Sequence, residues 1–298
     1  MKTNLRLYLI GAFTCVHLVD QRRKYGGNSL QVLCVLMKIT LITLLSTLIF
    51  FTRALCEDGG WCTEEGNKIV VSGRCDLERR DARHLSQLDF EKRYAFKEPV
   101  LIFNVENEIF RKKTTRDKML QIWGDKPVTL NSANTYSYQR VPTTFSYYVN
   151  RLLKPQKLDS LGNETLYLFG DIDQELWEPL LKEYNLPKWE LPRHSPALSF
   201  GIAAAGTGVP FHFHGPVFAE VIYGHKQWFL YPYESRPEFD PDKSTLQWFL
   251  EIYPKLERIQ RPLECLVGPG EAIYVPDKWW HATLNTETSV FISTFLSP

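Results

Sequence analysis

The chain has no long run of like charge, and that absence removes the nucleic-acid readings first. Its 35 Lys and Arg nearly cancel 34 Asp and Glu over 298 residues, for a formal charge of +1. Phosphate binding needs a basic face, and reception of basic protein tails needs an acidic groove. Neither is written here. The chain also has no internal repeat and no low-complexity tract, which excludes solenoids and disordered arrays. Cysteine is scarce, 6 in all, and its spacing fits no zinc motif. There is one long hydrophobic run, residues 30–51, interrupted by Gln31 and Lys38. What is present is a chain 44% hydrophobic and 13% aromatic. That composition buries a full core, and the length suits one domain of about 200–250 residues.

The hydrophobic run carries the address. Met37-Lys38 opens a short basic n-region, residues 39–51 form an apolar stretch of signal-peptide length, and Arg53-Ala54-Leu55-Cys56 places small residues for cleavage before Glu57. Residues 37–56 are then a signal peptide and residues 1–36 an upstream extension. Translation from Met1 instead gives an uncleaved signal anchor, with Arg22-Arg23-Lys24 holding the near side in the cytosol. Both readings place everything after Glu57 in the lumen of the endoplasmic reticulum, with no membrane span once the signal is removed. Asn163-Glu164-Thr165 is a glycosylation sequon that fits this compartment. So do Cys62, Cys75 and Cys265, which allow one disulfide in an oxidising environment and leave one thiol over. Cys62–Cys75 would close a short loop. Cys75–Cys265 would tie an N-terminal arm to the domain, and both pairings stay open.

After a polar arm at 57–75, residues 76–298 read as one domain. Helices are expected at 86–94 (capped by Ser86), 115–123, 144–153 and 174–184, with strands at 99–103 and 127–130. Further strands at 165–169, 197–203, 209–214, 218–222, 227–231, 271–275 and 289–295 are separated by glycine and proline turns, with one helix at 244–252 between them. Many short strands without alternating helices argue for a mainly β fold with flanking α, an antiparallel barrel or jelly roll whose N-terminal helices pack outside one sheet.

The chemistry concentrates on three histidines. His212 and His214 lie two apart on a predicted strand, so both imidazoles project to one face. His281 follows Tyr274-Val-Pro-Asp-Lys-Trp-Trp and is expected at the end of another strand. Two ligands on one strand and a third on a distant one make a facial metal site at the mouth of a jelly roll. The alternative is three ordinary core histidines bonded to backbone.

At these residues the chain resembles the Jumonji-C family of Fe(II)- and 2-oxoglutarate-dependent oxygenases, a cupin-type double-stranded β-helix. The resemblance runs from Leu166 to Phe295, through Leu166-Tyr167-Leu168, Gly224-His225-Lys226-Gln227-Trp228 and Val275-Pro276 leading to Trp279-Trp280-His281. It implies His212 and His281 as metal ligands and Lys226 with Tyr167 as the 2-oxoglutarate-binding pair. Thr207 stands near, displaced from, the family's hydroxyl position, which Val209 occupies. The family's carboxylate ligand falls on His214, so a three-His site replaces the usual facial triad. Glu220 restores a carboxylate only if a bulge aims it inward; otherwise it is a surface or hairpin residue, the reading preferred here. Lys226 is a ligand-pocket lysine or a solvated hairpin lysine, and Trp228, Trp279 and Trp280 read as packing. The functional expectation is a lumenal regulatory or adaptor protein with an altered metal site and reduced or absent oxygenase activity. The alternative is a 2-oxoglutarate-dependent hydroxylase of a lumenal protein. A weaker third is a metal-binding cupin of other chemistry.

Overall fold

The computed structural model describes residues 58–61, 69–156, 162–170 and 172–298. The signal segment, the upstream extension and Cys62 lie outside the described residues.

The twelve strands described form three sheets. In the largest, β1 (Glu78–Asp81), β2 (Val100–Phe103), β10 (Glu271–Val275), β7 (Val217–Tyr223), β12 (Ser289–Ser297) and β6 (Ser195–Ala203) lie side by side in that order. Facing it is a sheet of β11 (Trp280–Asn285), β8 (Lys226–Tyr231) and β9 (Leu263–Val267). Leu101, Val217, Ala219, Val221, Ile273 and Val275 from the first sheet meet Trp228, Leu230 and Val267 from the second. Burying this apolar surface holds the two sheets face to face, the expected jelly roll. A third sheet, β4 (Arg140–Thr144), β3 (Pro127–Ser132) and β5 (Leu166–Tyr167), lies beside it and is linked to β6 by the Leu168–Ile202 bridge.

The helices coat the outside, as expected. In α1 (Gln87–Arg93), Ser86 caps the first turn by accepting from the Asp89 amide, and Phe90 with Tyr94 packs against Phe218 and Tyr274. The outer face of β6, β7 and β12 (Phe200, Ile202, Ile222, Val290, Ile292) is covered by α2 (Glu108–Lys113), α3 (Arg116–Trp123), α4 (Phe145–Tyr147) and α5 (Gln174–Leu181) through Phe110, Trp123, Phe145 and Trp177. On the opposite side α6 (Thr245–Glu251), capped by Ser244, packs Leu246 and Trp248 on Phe229 and Ala282. The expected helix at 144–153 changes to a π-turn at Tyr148–Leu152.

The polar arm is docked rather than free where it is described. Asp76 N donates to Glu264 O and Leu266 N to Arg74 O, so residues 74–76 pair with the edge of β9. An unpaired edge is a template for aggregation, and this one is covered. The same pairing sets Cys75 opposite Cys265, and these two form the disulfide.

Glu220 corrects an expectation. It is 2% exposed, on the face of β7 turned toward the helices, and accepts from Tyr184 Oη at 2.9 Å and Asn107 Nδ2 at 2.8 Å. It is neither a surface residue nor a neighbour of the histidines. Burial raises its pKa from 4.5 to about 7 against those two hydrogen bonds. Between these values the folded chain holds a proton that the unfolded chain has lost. The stabilising contribution is therefore complete below about pH 4.5 and disappears as pH rises through 7. Glu220→Gln removes this dependence and keeps an oxygen acceptor. In urea unfolding it is expected to be more stable than wild type at pH 8, by on the order of 2–3 kcal/mol, with the difference fading toward pH 5. An unchanged pH profile would show that Glu220 is ionised throughout.

Candidate metal centre

The segment 209–214 is not the regular strand expected. Pro210 has no N–H to give to a ladder, and the chain pairs with β11 only at intervals. Thr283 N donates to Val209 O, and His212 and His281 exchange both backbone hydrogen bonds, at 3.1 and 2.9 Å. Those contacts keep the backbone extended enough for His212 and His214 to share a face. His281 is the second residue of β11 rather than the end of a strand. Lys278, at φ +63°, lies in the turn that comes first.

The three rings converge. Their centroids are 5.4 Å (His212 to His214), 4.3 Å (His212 to His281) and 4.6 Å (His214 to His281) apart. In each ring Nδ1 faces a backbone carbonyl: Pro210 O at 2.8 Å, Gly215 O at 2.7 Å and Trp279 O at 2.9 Å. A carbonyl only accepts, so Nδ1 must carry the proton in all three, which leaves Nε2 as a bare lone pair. Yet His214 Nε2 and His281 Nε2 lie 3.1 Å apart. Two lone pairs at that distance repel unless a cation or proton sits between them. Burial first, and neighbouring imidazoles for His212 and His281, hold the three rings below their usual pKa, His212 at about 4. A metal ion resolves the conflict. Two ligands at Zn–N-like bond lengths from one ion stand roughly 2.9–3.4 Å apart, and all three ligand atoms here lie within 4.8 Å of one another. Carbonyl-anchored Nδ1–H is also how metal-binding histidines are held in orientation. The donor set fits a metal.

Behind the histidines, strand alternation lines the barrel interior. On β11 His281, Thr283 and Asn285 face inward, opposite Leu230, Trp228 and Lys226 of β8. Lys226 is 5% exposed and is therefore not a hairpin lysine. Its ammonium lies 3.1 Å from the Phe291 ring centroid and 5.9 Å from that of Phe169. Desolvation pushes its pKa well down. Gly201 makes room for these rings: a Cβ there would stand 2.5 Å from Phe291 Cζ and 2.9 Å from Phe169 Cδ2. Further along β12, Phe295 packs 5.1 Å from His214.

A family model described as a cupin-like domain matches residues 87–295. The chain is 50% identical over 262 residues to JmjC domain-containing protein 8 of Rattus norvegicus, covering 87% of this chain and 97% of that protein. Against the Homo sapiens protein of the same name it is 50% identical over 240 residues, covering 80% and 90%. The chain belongs to the cupin-like JmjC-domain family. The solved structure of E. coli ycfD aligns over 72% of this chain and 53% of that one, at TM-score 0.45 and 18% identity.

Set beside the JmjC cofactors, the residues fit a metal better than they fit 2-oxoglutarate. Lys226 supplies the cation, but Phe291 covers it. Tyr167 is buried in the cluster with Phe291, Phe169 and Val209, its pKa pushed up to about 12 by burial. The Thr207 hydroxyl donates to Ala204 O at 2.6 Å and accepts from Asn285 Nδ2 at 3.2 Å, which leaves it no free proton for a co-substrate. His225 points out of the barrel to Glu287. The backbone of the sequon forms the short turn Gly162–Glu164.

Two interior groups were not singled out from the sequence. Trp228 Nε1 and Asn285 Oδ1 are buried polar atoms without a hydrogen-bond partner among the described residues. Such orphans typically cost about 1–3 kcal/mol each. By sequence Trp228 reads as packing alone. Asn285 was legible in principle, four residues along the strand from His281 and so on the same face.

Proposed function

We infer that this JmjC-fold chain is a regulatory or adaptor protein of the endoplasmic reticulum lumen that holds a transition metal on His212, His214 and His281, with oxygenase turnover reduced or lost. Two observations carry the reading. The third ligand position holds an imidazole whose lone pair converges with that of His281, and the ammonium meant for a co-substrate is covered by Phe291. Replacing a carboxylate by a neutral imidazole removes the hard oxygen ligand and raises the net charge of the site by one. A bound metal supplies Lewis acidity at the barrel mouth. The carbonyls of Pro210, Gly215 and Trp279 hold the three imidazoles in the Nδ1–H tautomer.

The lumenal setting is supported by the signal-like segment, the Asn163 sequon and the Cys75–Cys265 disulfide, which an oxidising compartment preserves. A protein partner follows from the adaptor reading. The alternative, Fe(II)- and 2-oxoglutarate-dependent hydroxylation of a lumenal protein, is favoured by the inward position of Lys226 alone.

The test is iron-dependent conversion of 2-oxoglutarate to succinate by chain produced through the secretory route, compared with His214→Asp. Wild type is expected to stay at the level of the enzyme-free control, with any gain confined to the Asp variant. Succinate formation by wild type above that control would establish the hydroxylase reading instead.

A further inference from the structure

Six of the eight tryptophans donate their indole N–H to a backbone carbonyl. Trp228 does not. Its ring is 5% exposed and Nε1 is fully buried, with no acceptor among the described residues. Its place in the barrel is specific. It stands opposite Thr283 on the inner face of β8, one inward position from Lys226 and diagonally across from His281, whose ring centroid is 5.7 Å away. Thr283 Oγ1 is already engaged by the Val209 amide at 3.1 Å. A fold that supplies a carbonyl to six indoles leaves the Trp228 donor buried and bare, on a ring that packs against His281 of the three-His cluster.

We propose that Trp228 is a binding residue of the three-His centre, and that its N–H receives a small anion bound at the metal's open position. The proposal rests on the metal reading given above. Three neutral imidazoles leave a divalent ion with its full charge of two, so an anion completes the site electrostatically. Aromatic rings pack against the ligands: Phe295 beside His214 and Trp228 beside His281. Hydroxide, formate or azide is small, ligates a divalent metal and accepts a hydrogen bond from an N–H. Lys226 places a buried amine deeper in the same interior. A charge-assisted hydrogen bond from a buried indole is strong enough to set the affinity of such an ion. This gives Trp228 a role toward a small ion that does not depend on 2-oxoglutarate.

The experiment uses full-length chain expressed through the secretory route, loaded with Co2+ and titrated with azide while the visible absorption bands are followed. Wild type is expected to bind one cobalt, and its bands are expected to shift with azide to saturation. Trp228→Phe keeps an aromatic ring and removes the donor; it is expected to take up cobalt and to bind azide about tenfold more weakly. A second measurement needs no variant. In Zn2+-loaded wild type labelled with 15N at the indoles, the N–H resonance close to the His281 ring protons is expected to move on addition of formate. Equal azide affinity in the two proteins, or an indole signal that ignores formate, overturns the role of Trp228 and leaves the metal centre standing. No cobalt uptake by wild type overturns the metal centre, and this inference with it.

Discussion

His281→Ala is expected to take up no transition metal under conditions in which the wild type binds one ion per chain. The affinity loss should be on the order of 100-fold or more, because even the partners that merely orient a ligand are worth 10–100-fold. The wild-type arrangement needs a cation or a proton between two rings, and burial of both imidazoles disfavours the proton. His214 and His281 present bare Nε2 atoms to each other at 3.1 Å, and both Nδ1 protons are fixed by carbonyls. Alanine removes one lone pair and with it both the repulsion and the site. The backbone hydrogen bonds between residues 212 and 281 involve no side chain, so the fold is expected to persist. Two readouts check this. Metal analysis after dialysis reports occupancy. Thermal unfolding with and without added metal reports coupling: an ion at 100 times its dissociation constant stabilises by about 2.7 kcal/mol. That shift is expected in wild type and absent in the variant. Equal metal content in the two proteins would mean that the ion, if any, lies elsewhere.

Trp61→Ala is expected to destabilise the domain by about 3–5 kcal/mol, the range for emptying a buried aromatic site. Trp61 lies before the cupin-like match, in a stretch whose composition reads as a polar arm. The structure buries it completely against the helical layer with Phe110, Met119 and Trp123, and its indole donates to Thr114 O at 2.8 Å. The chain reaches this socket through Gly59, whose φ of +62° suits glycine, and a Cβ there would stand 2.5 Å from Tyr223 Cζ. Gly59 O also accepts from Arg116 N at 2.9 Å. Removing the indole leaves a cavity and an unpaired carbonyl in the same place. Against a total stability of about 5–15 kcal/mol this is a large share. The urea midpoint measures it, and a loss below about 1 kcal/mol would show that residues 58–61 do not dock in solution.

Much of the fold was open to sequence reasoning because local rules sufficed. Ser86 caps its helix where expected, the helix after Ser244 lies within its expected span, and the strands at β2, β8 and β10 fall where β-branched and aromatic runs meet glycine or proline turns. His212 and His214 share a face because alternation survives even in a broken strand. Other features were hidden for identifiable reasons. β7 is buried at all seven positions, so it carries no polar–apolar period to tell which side Glu220 takes. β11 was missed because His281, Thr283 and Asn285 interrupt its apolar pattern. Those interruptions are the interior of the site.

The mainly β architecture, the motifs that carry the family resemblance and the three histidines are legible in the sequence alone, since each is a matter of residue type and short-range spacing. Which groups meet is settled by long-range pairing. The β8–β11 register sets Lys226 and Trp228 against Asn285 and Thr283, and the docking of residues 74–76 on β9 selects Cys265 as the partner of Cys75. It also lays Phe291 over the buried ammonium. These pairings join residues far apart in the chain, and they follow from burying both sheet faces at once, a condition that no local stretch of sequence expresses.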